Sequence, residues 1–279
     1  MKTVRDRVAA VTGAGSGIGR ATAILLAREG CHLALSDIDE ASVQETAASC
    51  HGAKVTTSRV DVADRAAMHA WAESTVRDHG RVNIVINNAG VAMGASVESM
   101  GYDDLEWLMG INFWGVVYGT KEFLPHIKRT GDGHIVNVSS VFGLIAVPTQ
   151  SAYNAAKFAV RGFTESLREE MEVEGNGVGV TCVHPGGIKT NIARRARMRN
   201  GDEWGVNDAE DAGDRFEKMA RSTPEDAARD ILRAILGNRR RQLIGADAVV
   251  IDWIQRLLPE SYQRILIAAA KRQRRQQTK

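Results

Sequence analysis

The chain has 279 residues, 44% of them hydrophobic, enough for one large α/β domain with a full core. Its formal net charge of +2 points to neither a nucleic-acid binder nor an acidic scaffold; the basic bias is local, at the extreme C-terminus. Cys31, Cys50 and Cys182 are odd in number and lack Cys-x-x-Cys spacing, which suits a reducing cytoplasm and argues against a disulfide framework or any zinc site.

The N-terminus runs straight into a first strand, 8–12, with no apolar leader core, and no run of about 18 or more apolar residues follows anywhere, so no bilayer-spanning segment is expected. Gly13-Ala14-Gly15-Ser16-Gly17-Ile18-Gly19 comes next, then a helical pattern through Ala21, Ile24, Leu25 and Arg28. Strand, glycine-rich turn and helix in that order make a phosphate site, because glycines let the backbone approach the anion and the helix start offers unpaired N–H groups. Without Gly-Lys-Ser/Thr it is not a triphosphatase loop, and taken alone the run equally suits a plain turn. The second strand, 31–36, ends at Asp37. A carboxylate there accepts from the adenosine ribose hydroxyls and repels a 2′-phosphate, and Ser16 stands where a phosphate-reading Arg or Lys would sit, so NAD is favoured over NADP. Asp37 also suits the N-cap of a helix over 40–49.

A third strand, 54–60, leads to Asp61-Val62, where Asp61 suits either the adenine amino group or a cap for the helix through Ala66, Met68, Trp71 and Val76. After the fourth strand, 82–86, Asn87-Asn88-Ala89-Gly90 suits a wall along a cofactor or a strand-end turn. A helix over 102–128 holds Asn112 among apolar neighbours, where a buried polar role is expected. The fifth strand, 134–138, ends in Ser139-Ser140, and the next helix carries Tyr153 and Lys157, one turn apart on one face. A free tyrosine, with a pKa of about 10, is a poor base at neutral pH; a close, poorly solvated ammonium favours its phenolate. An isolated Tyr-x-x-x-Lys pair would more simply be a half-buried ring and a surface charge. The sixth strand, 178–183, ends in His184-Pro185-Gly186-Gly187-Ile188-Lys189-Thr190.

Strands alternating with helices predict a Rossmann-type, doubly wound parallel sheet of about seven strands in a three-layer α/β/α single domain. Ligands of such sheets bind beyond the carboxyl ends of the strands, where the glycine loop, Asp37, Asp61, Asn88, Ser140 and the 185–190 turn all fall. A catalytic domain is therefore expected over 1–245, with a polar covering segment at 191–222 containing Arg194, Arg195, Arg197 and Arg199. A C-terminal extension, 246–279, is apolar and helical with a basic end; it suits an anionic membrane surface, or subunit packing followed by a disordered end.

With Thr12-Gly-x-x-x-Gly-Ile-Gly19, Asn87-Asn-Ala-Gly90, Asn112, Ser140, Tyr153-x-x-x-Lys157 and Pro185-Gly186 in order, the chain resembles the short-chain dehydrogenase/reductase family over roughly residues 5–245. The resemblance implies an oxidoreductase acting on CH–OH groups, with Tyr153 as acid/base, Lys157 lowering its pKa, Ser140 on the reacting oxygen and Asn112 holding a relay water. It implies that Thr12, Gly13, Ser16, Gly17, Ile18 and Gly19 carry the pyrophosphate of NAD, Asp37 the ribose, and Asp61 and Val62 the adenine. Asn88, Ala89 and Gly90 would line the adenosine side, and Pro185, Gly186, Ile188 and Thr190 the nicotinamide, beside Tyr153 and Lys157. It further implies a homo-oligomer, dimer or tetramer, in the cytoplasm. Trp204, Met198 and Phe216 as a ceiling and Met93, Phe142, Leu144 and Val147 as walls suggest a bulky apolar secondary alcohol or its ketone, such as a lipid, sterol or aryl carbinol. The arginines after Thr190 could instead grip an anionic tail. Alternatives from other classes are an NADPH-linked 3-oxoacyl-type reductase and a catalytically silent dinucleotide-binding regulator.

Overall fold

The computed structural model describes residues 1–199 and 208–277, with side chains of the last helix as far as Arg272. The first half runs β1 (Val8–Thr12), α1 (Gly17–Arg28), β2 (His32–Asp37), α2 (Glu40–Ala48), β3 (Val55–Arg59), α3 (Arg65–His79) and β4 (Ile84–Asn87). A short β5 (Met93–Gly94) precedes α4 (Tyr102–Met109), α5 (Gly115–Lys128), β6 (Gly133–Val138), α6 (Ser151–Glu174) and β7 (Val178–Pro185). The chain continues through β8 (Arg197–Met198), α7 (Ala209–Met219), α8 (Pro224–Leu236), β9 (Arg241–Ile244), α9 (Ala246–Leu257) and α10 (Tyr262–Gln277).

Seven strands make one parallel sheet in the order β3-β2-β1-β4-β6-β7-β9. Parallel strands covered on both faces need apolar residues at successive positions, and β1, β4, β6 and β7 are buried throughout. Alternation then divides each strand between two layers. Ala9 and Val11, Leu33 and Leu35, Ile84 and Ile86 join one apolar cluster, completed by Leu26 of α1 and Ile231 and Ile235 of α8. Ala10, Ala34, Val85 and Ile135 join the other, with Met68 and Trp71 of α3, Phe123 of α5 and Leu167 of α6. At about 1.5–3 kcal/mol for each large apolar side chain buried, these two layers hold the sheet between its helices. Chain order reverses between β1 and β4, which opens a crevice at the carboxyl edge.

Several local expectations are corrected by one neighbouring residue or one turn. The cap of α2 is Asp39, whose carboxylate accepts from Ser42 N–H, and the cap of α3 is Asp64, which accepts from Ala66 and Ala67 N–H. Asp37 and Asp61 cap neither helix and stay at the sheet edge. The helix expected over 102–128 is interrupted at Gly110–Trp114 by a wider π turn, closed by Gly115 N–H on Gly110 C=O. β7 continues to Pro185 because β9 pairs with its last four residues. Within the polar segment after Thr190, Arg197 and Met198 pair with Met93 and Gly94, and α7 begins on a cap by Asp208.

A buried polar chain crosses the sheet beneath the crevice. Asn87 Nδ2 donates to Asn137 Oδ1 at 2.8 Å and to Thr120 Oγ1 at 3.1 Å, and Asn137 Nδ2 donates to Thr164 Oγ1 at 3.0 Å. It ties β4 and β6 to α5 and α6, the helices that carry the site. Replacing Asn137 by Ala leaves Asn87 Nδ2 with Thr120 as its one remaining acceptor and removes the donor to Thr164, and each buried polar group left unsatisfied costs about 1–3 kcal/mol. The Asn137→Ala protein should therefore lose about 2 kcal/mol or more in denaturant unfolding; an unchanged midpoint would show that the chain of amides contributes nothing.

Candidate active site

The glycine loop is shaped by close contact with the turn after β4. Gly13 has φ +62°, and a Cβ there would stand 2.8 Å from Ala89 Cα. A Cβ on Gly19 would strike the Gly13 carbonyl oxygen, and one on Gly17 would lie 3.1 Å from Thr190 Cγ2. Thr12 fastens the two turns together: its hydroxyl accepts from Asn88 N–H at 2.9 Å and Ala89 N–H at 3.0 Å, while Asn88 Nδ2 donates to the Thr12 and Gly13 carbonyls. Thr12 and Asn88 thus hold the loop, and its backbone faces the crevice. Ser16 makes no side-chain cap on α1, so the first N–H groups of that helix are open to an anion. The Asp37 carboxylate accepts from Gly15 N–H at 2.8 Å and Asp39 N–H at 3.1 Å, which orients it along the same edge. Ile18 packs on the core beneath, Val62 is buried against Gly115, and Asp61 is exposed, accepting from Ala63 N–H. A cleft of about 410 Å³ runs outside this loop, lined by Gly15, Ser16, Gly17, Arg20, Asn191 and Arg195 among others.

On the other side of the switch point α6 brings Tyr153 and Lys157 to one face. Lys157 is 3% exposed, its Nζ donating to Val138 C=O at 3.0 Å and lying 5.6 Å from the Tyr153 ring centroid. Burial lowers its pKa to about 8. Burial also raises the Tyr153 phenol to about 12, with the Ser140 hydroxyl pulling it back. Desolvation penalises both charged forms, so the chain alone does not hold a phenolate. The expected depression by Lys157 does not offset this burial; the ammonium lies over the ring and donates to the Val138 carbonyl.

Ser140 starts a short 3₁₀ turn, Val141–Gly143, and its hydroxyl accepts from Phe142 N–H at 3.1 Å. His184, at the end of β7, donates from Nδ1 to the Ser140 carbonyl at 3.0 Å; burial lowers it to about 4, so the ring is neutral and its tautomer fixed. Asn112 is fully buried inside the π turn. Its amide is taken by Val91: Oδ1 accepts from the N–H and Nδ2 donates to the C=O, both at 2.8 Å. Gly90 fits against this group, since a Cβ there would lie 3.2 Å from Asn112 Oδ1 and 3.6 Å from Lys157 Nζ. The 185–190 turn is held by Asp247 of α9, which accepts from Gly187 N–H at 2.6 Å, and Ile188 is buried beneath it.

Phe142 stands edge-on to Tyr153, centroids 6.1 Å apart. Met93 and Leu144, expected as walls, are both buried, while Met198 sits over Gly94 and Phe216 is half-buried on α7. Trp204 lies outside the described residues. Of the four arginines, Arg194 pairs with Asp214 and Glu217, Arg199 grips Asp104 at 2.8 and 3.0 Å, and Arg197 covers the Trp107 ring at 3.5 Å. Arg195 has no ion pair among the described residues and lines the outer cleft. His184 and Asp247 were not given roles from sequence, since each acts through partners distant along the chain, and Arg195 was named only as one of four arginines after Thr190. Among the described residues no cluster of metal-ligating side chains occurs.

The glycine loop, Asp37, Asp61, Asn88, Ser140 and the 185–190 turn thus all follow strands of the one parallel sheet, around a cradle that glycines keep open, and the donor set fits a dinucleotide. A sequence profile described as short chain dehydrogenase matches residues 7–201. SadH of Mycobacterium tuberculosis, named as an oxidoreductase, is 48% identical over 271 residues, 96% of each chain. Dehydrogenase/reductase SDR family member 7B of Xenopus laevis is 33% identical over 95% of this chain and 82% of its own. Among solved structures, a short-chain dehydrogenase/reductase from Burkholderia phymatum, determined in complex with NAD, superposes with a TM-score of 0.83 at 32% identity, covering 94% of this chain and 96% of that one. Levodione reductase follows at TM-score 0.77 and 28% identity, over 88% and 98% of the two chains. The chain belongs to the short-chain dehydrogenase/reductase family of oxidoreductases.

Proposed function

We propose that this protein is an NAD-dependent dehydrogenase that interconverts an apolar secondary alcohol and its ketone, with Tyr153 as the acid/base. The observation that carries this reading is the meeting of Tyr153, Ser140 and the buried Lys157 ammonium at the same edge as the glycine cradle. The loop N–H groups and the open start of α1 would hold the pyrophosphate, Asp37 the adenosine ribose, and Lys157 the nicotinamide ribose. When bound, the oxidised nicotinamide supplies the hydride acceptor and a positive charge. Ser140 then orients the substrate oxygen, and the Tyr153 oxygen takes the hydroxyl proton, or returns it to the carbonyl in the reverse direction. Proton exchange passes from Tyr153 through Lys157; with its amide held by Val91, Asn112 is assigned a water through main-chain groups of the widened turn.

Asp37 supports NAD over NADP, because its oriented carboxylate disfavours a 2′-phosphate. Arg195 lines the cleft beside the phosphate loop and is assigned to the pyrophosphate. Pairing of Arg194 and Arg199 with carboxylates and of Arg197 with an aromatic ring argues against an anionic substrate tail. Phe142 beside Tyr153 favours an apolar group on the carbinol. The exposed Trp114 and Phe158, on adjoining faces of the π turn and α6, support a homo-oligomer packed through these helices.

Tyr153→Phe should lower kcat for secondary-alcohol oxidation by about 10²–10⁴-fold, followed by absorbance of the reduced nicotinamide, while NADH binding is retained; residual activity near the parent level would remove Tyr153 from the chemistry. Because oxidation needs the phenol without its proton, alcohol oxidation should rise with pH through the ionisation of Tyr153 in the NAD complex, while ketone reduction, which uses the protonated form, does not. A pH-independent oxidation rate with chemistry rate-limiting would contradict this. Asp37→Ala should erase an NAD preference of about tenfold or more, the scale of one hydrogen bond to a charged group; equal affinities for NAD and NADP in the unaltered protein would overturn the cofactor assignment.

A further inference from the structure

Helix α9 presents an apolar stripe away from the domain, and α10 after it carries exposed apolar residues. On α9, Val250, Trp253 and Leu257 recur at three- and four-residue spacing and are 55%, 60% and 71% exposed. On α10, Ile265 and Ile267 are also exposed. The opposite side of α9 is anchored: Ala248 is buried, and Asp252 accepts from Arg241 at 2.9 Å and Arg256 at 2.8 Å. The stripe is therefore the free side of a fixed helix. Beyond Glu260 the sequence contains Arg264, Lys271, Arg272, Arg274, Arg275 and Lys279, with no acidic residue.

The same extension is joined to the site at two points. Asp247 accepts from Gly187 N–H in the turn after β7. The Tyr262 hydroxyl accepts from Ala146 N–H at 3.1 Å, in the loop that follows Ser140, and the Tyr262 side chain is buried.

We propose that residues 246–272 seat the protein on an anionic membrane surface, with the Trp253 stripe in the headgroup region and Arg264, Lys271 and Arg272 against lipid phosphates. Through Asp247 and Tyr262 this seat sets the two loops around the catalytic groups at the surface from which an apolar alcohol would partition. That last consequence rests on the function proposed above; the membrane contact does not. A second copy of the chain is a poorer occupant, because it would bring two cationic tails without counter-charge toward each other. An anionic bilayer answers both features: each basic residue near such a surface strengthens binding about fivefold, and a Trp-bearing apolar stripe beside a basic segment is the composition of interfacial helices. Among the described residues no helix is long and apolar enough to cross the bilayer, which leaves in-plane contact.

The test is flotation of the full-length protein with vesicles of phosphatidylcholine alone and of phosphatidylcholine mixed with phosphatidylglycerol, without substrate or cofactor. Binding is expected to the mixed vesicles, weakened about tenfold or more on neutral vesicles or in high salt. The exposed-site double variant Trp253→Ser, Leu257→Ser should lose most vesicle binding while keeping its NADH binding and elution volume. Equal binding to the two vesicle types, or none to either, overturns the proposal. So does a double variant that floats normally, or one that elutes as a smaller species, which would make the stripe a subunit interface. A failed oxidoreductase assay alongside intact anionic binding would count against the enzymatic reading alone.

Discussion

A buried ammonium is the constraint around which this molecule is built. Lys157 is the only lysine among the described residues that is buried, and burial of a cation without a counter-charge is expensive. Among the described residues no carboxylate pairs with it, and one main-chain carbonyl, that of Val138, accepts from it directly. Its lowered pKa and the raised pKa of Tyr153 are two expressions of one desolvation. On the function proposed above, the chain would hold a proton-transfer pair in its neutral-leaning state, and the charge that tips it toward phenolate would come from the oxidised dinucleotide, which would link chemistry to cofactor occupancy.

The parallel sheet makes that placement possible. With β1 and β4 adjacent and chain order reversing between them, the glycine loop and the start of α6 reach the same crevice from opposite sides. The buried amides of Asn87 and Asn137 fix the spacing of β4 and β6 below it. The Asn112 amide fixes Val91 beside Lys157, and the neutral His184 fixes the Ser140 backbone. These side chains position the reacting groups without touching the place where substrate would lie.

Much of this was legible in the sequence where the signal is local. A strand–glycine–helix succession and a Tyr and Lys one turn apart carry their geometry within a few residues, so the sheet and the catalytic edge follow directly. Caps were legible only to within a turn: Asp37 and Asp39, or Asp61 and Asp64, offer the same chemistry two or three residues apart, and only the helix start decides between them. The π turn at Asn112 left no apolar-periodicity signal, since one extra residue shifts the pattern without breaking it. Contacts that depend on tertiary placement were not legible. Asp247 on Gly187, Tyr262 on Ala146, Arg199 on Asp104 and the pairing of Met93 with Arg197 join segments widely separated along the chain. The arginines after Thr190 show the consequence: four basic residues suggested an anionic ligand, yet three are held by carboxylates of the same chain, and one of these, Arg197, also covers the Trp107 ring.

The most direct test of the electrostatic account is an ultraviolet difference titration of tyrosinate, comparing the protein with its Tyr153→Phe variant, in the absence and presence of saturating NAD. The account predicts that the component lost in the variant ionises far above neutrality in the free protein, toward the value of about 12 that burial imposes, and shifts strongly downward when NAD is bound. An identical ionisation of Tyr153 in the two states would contradict it.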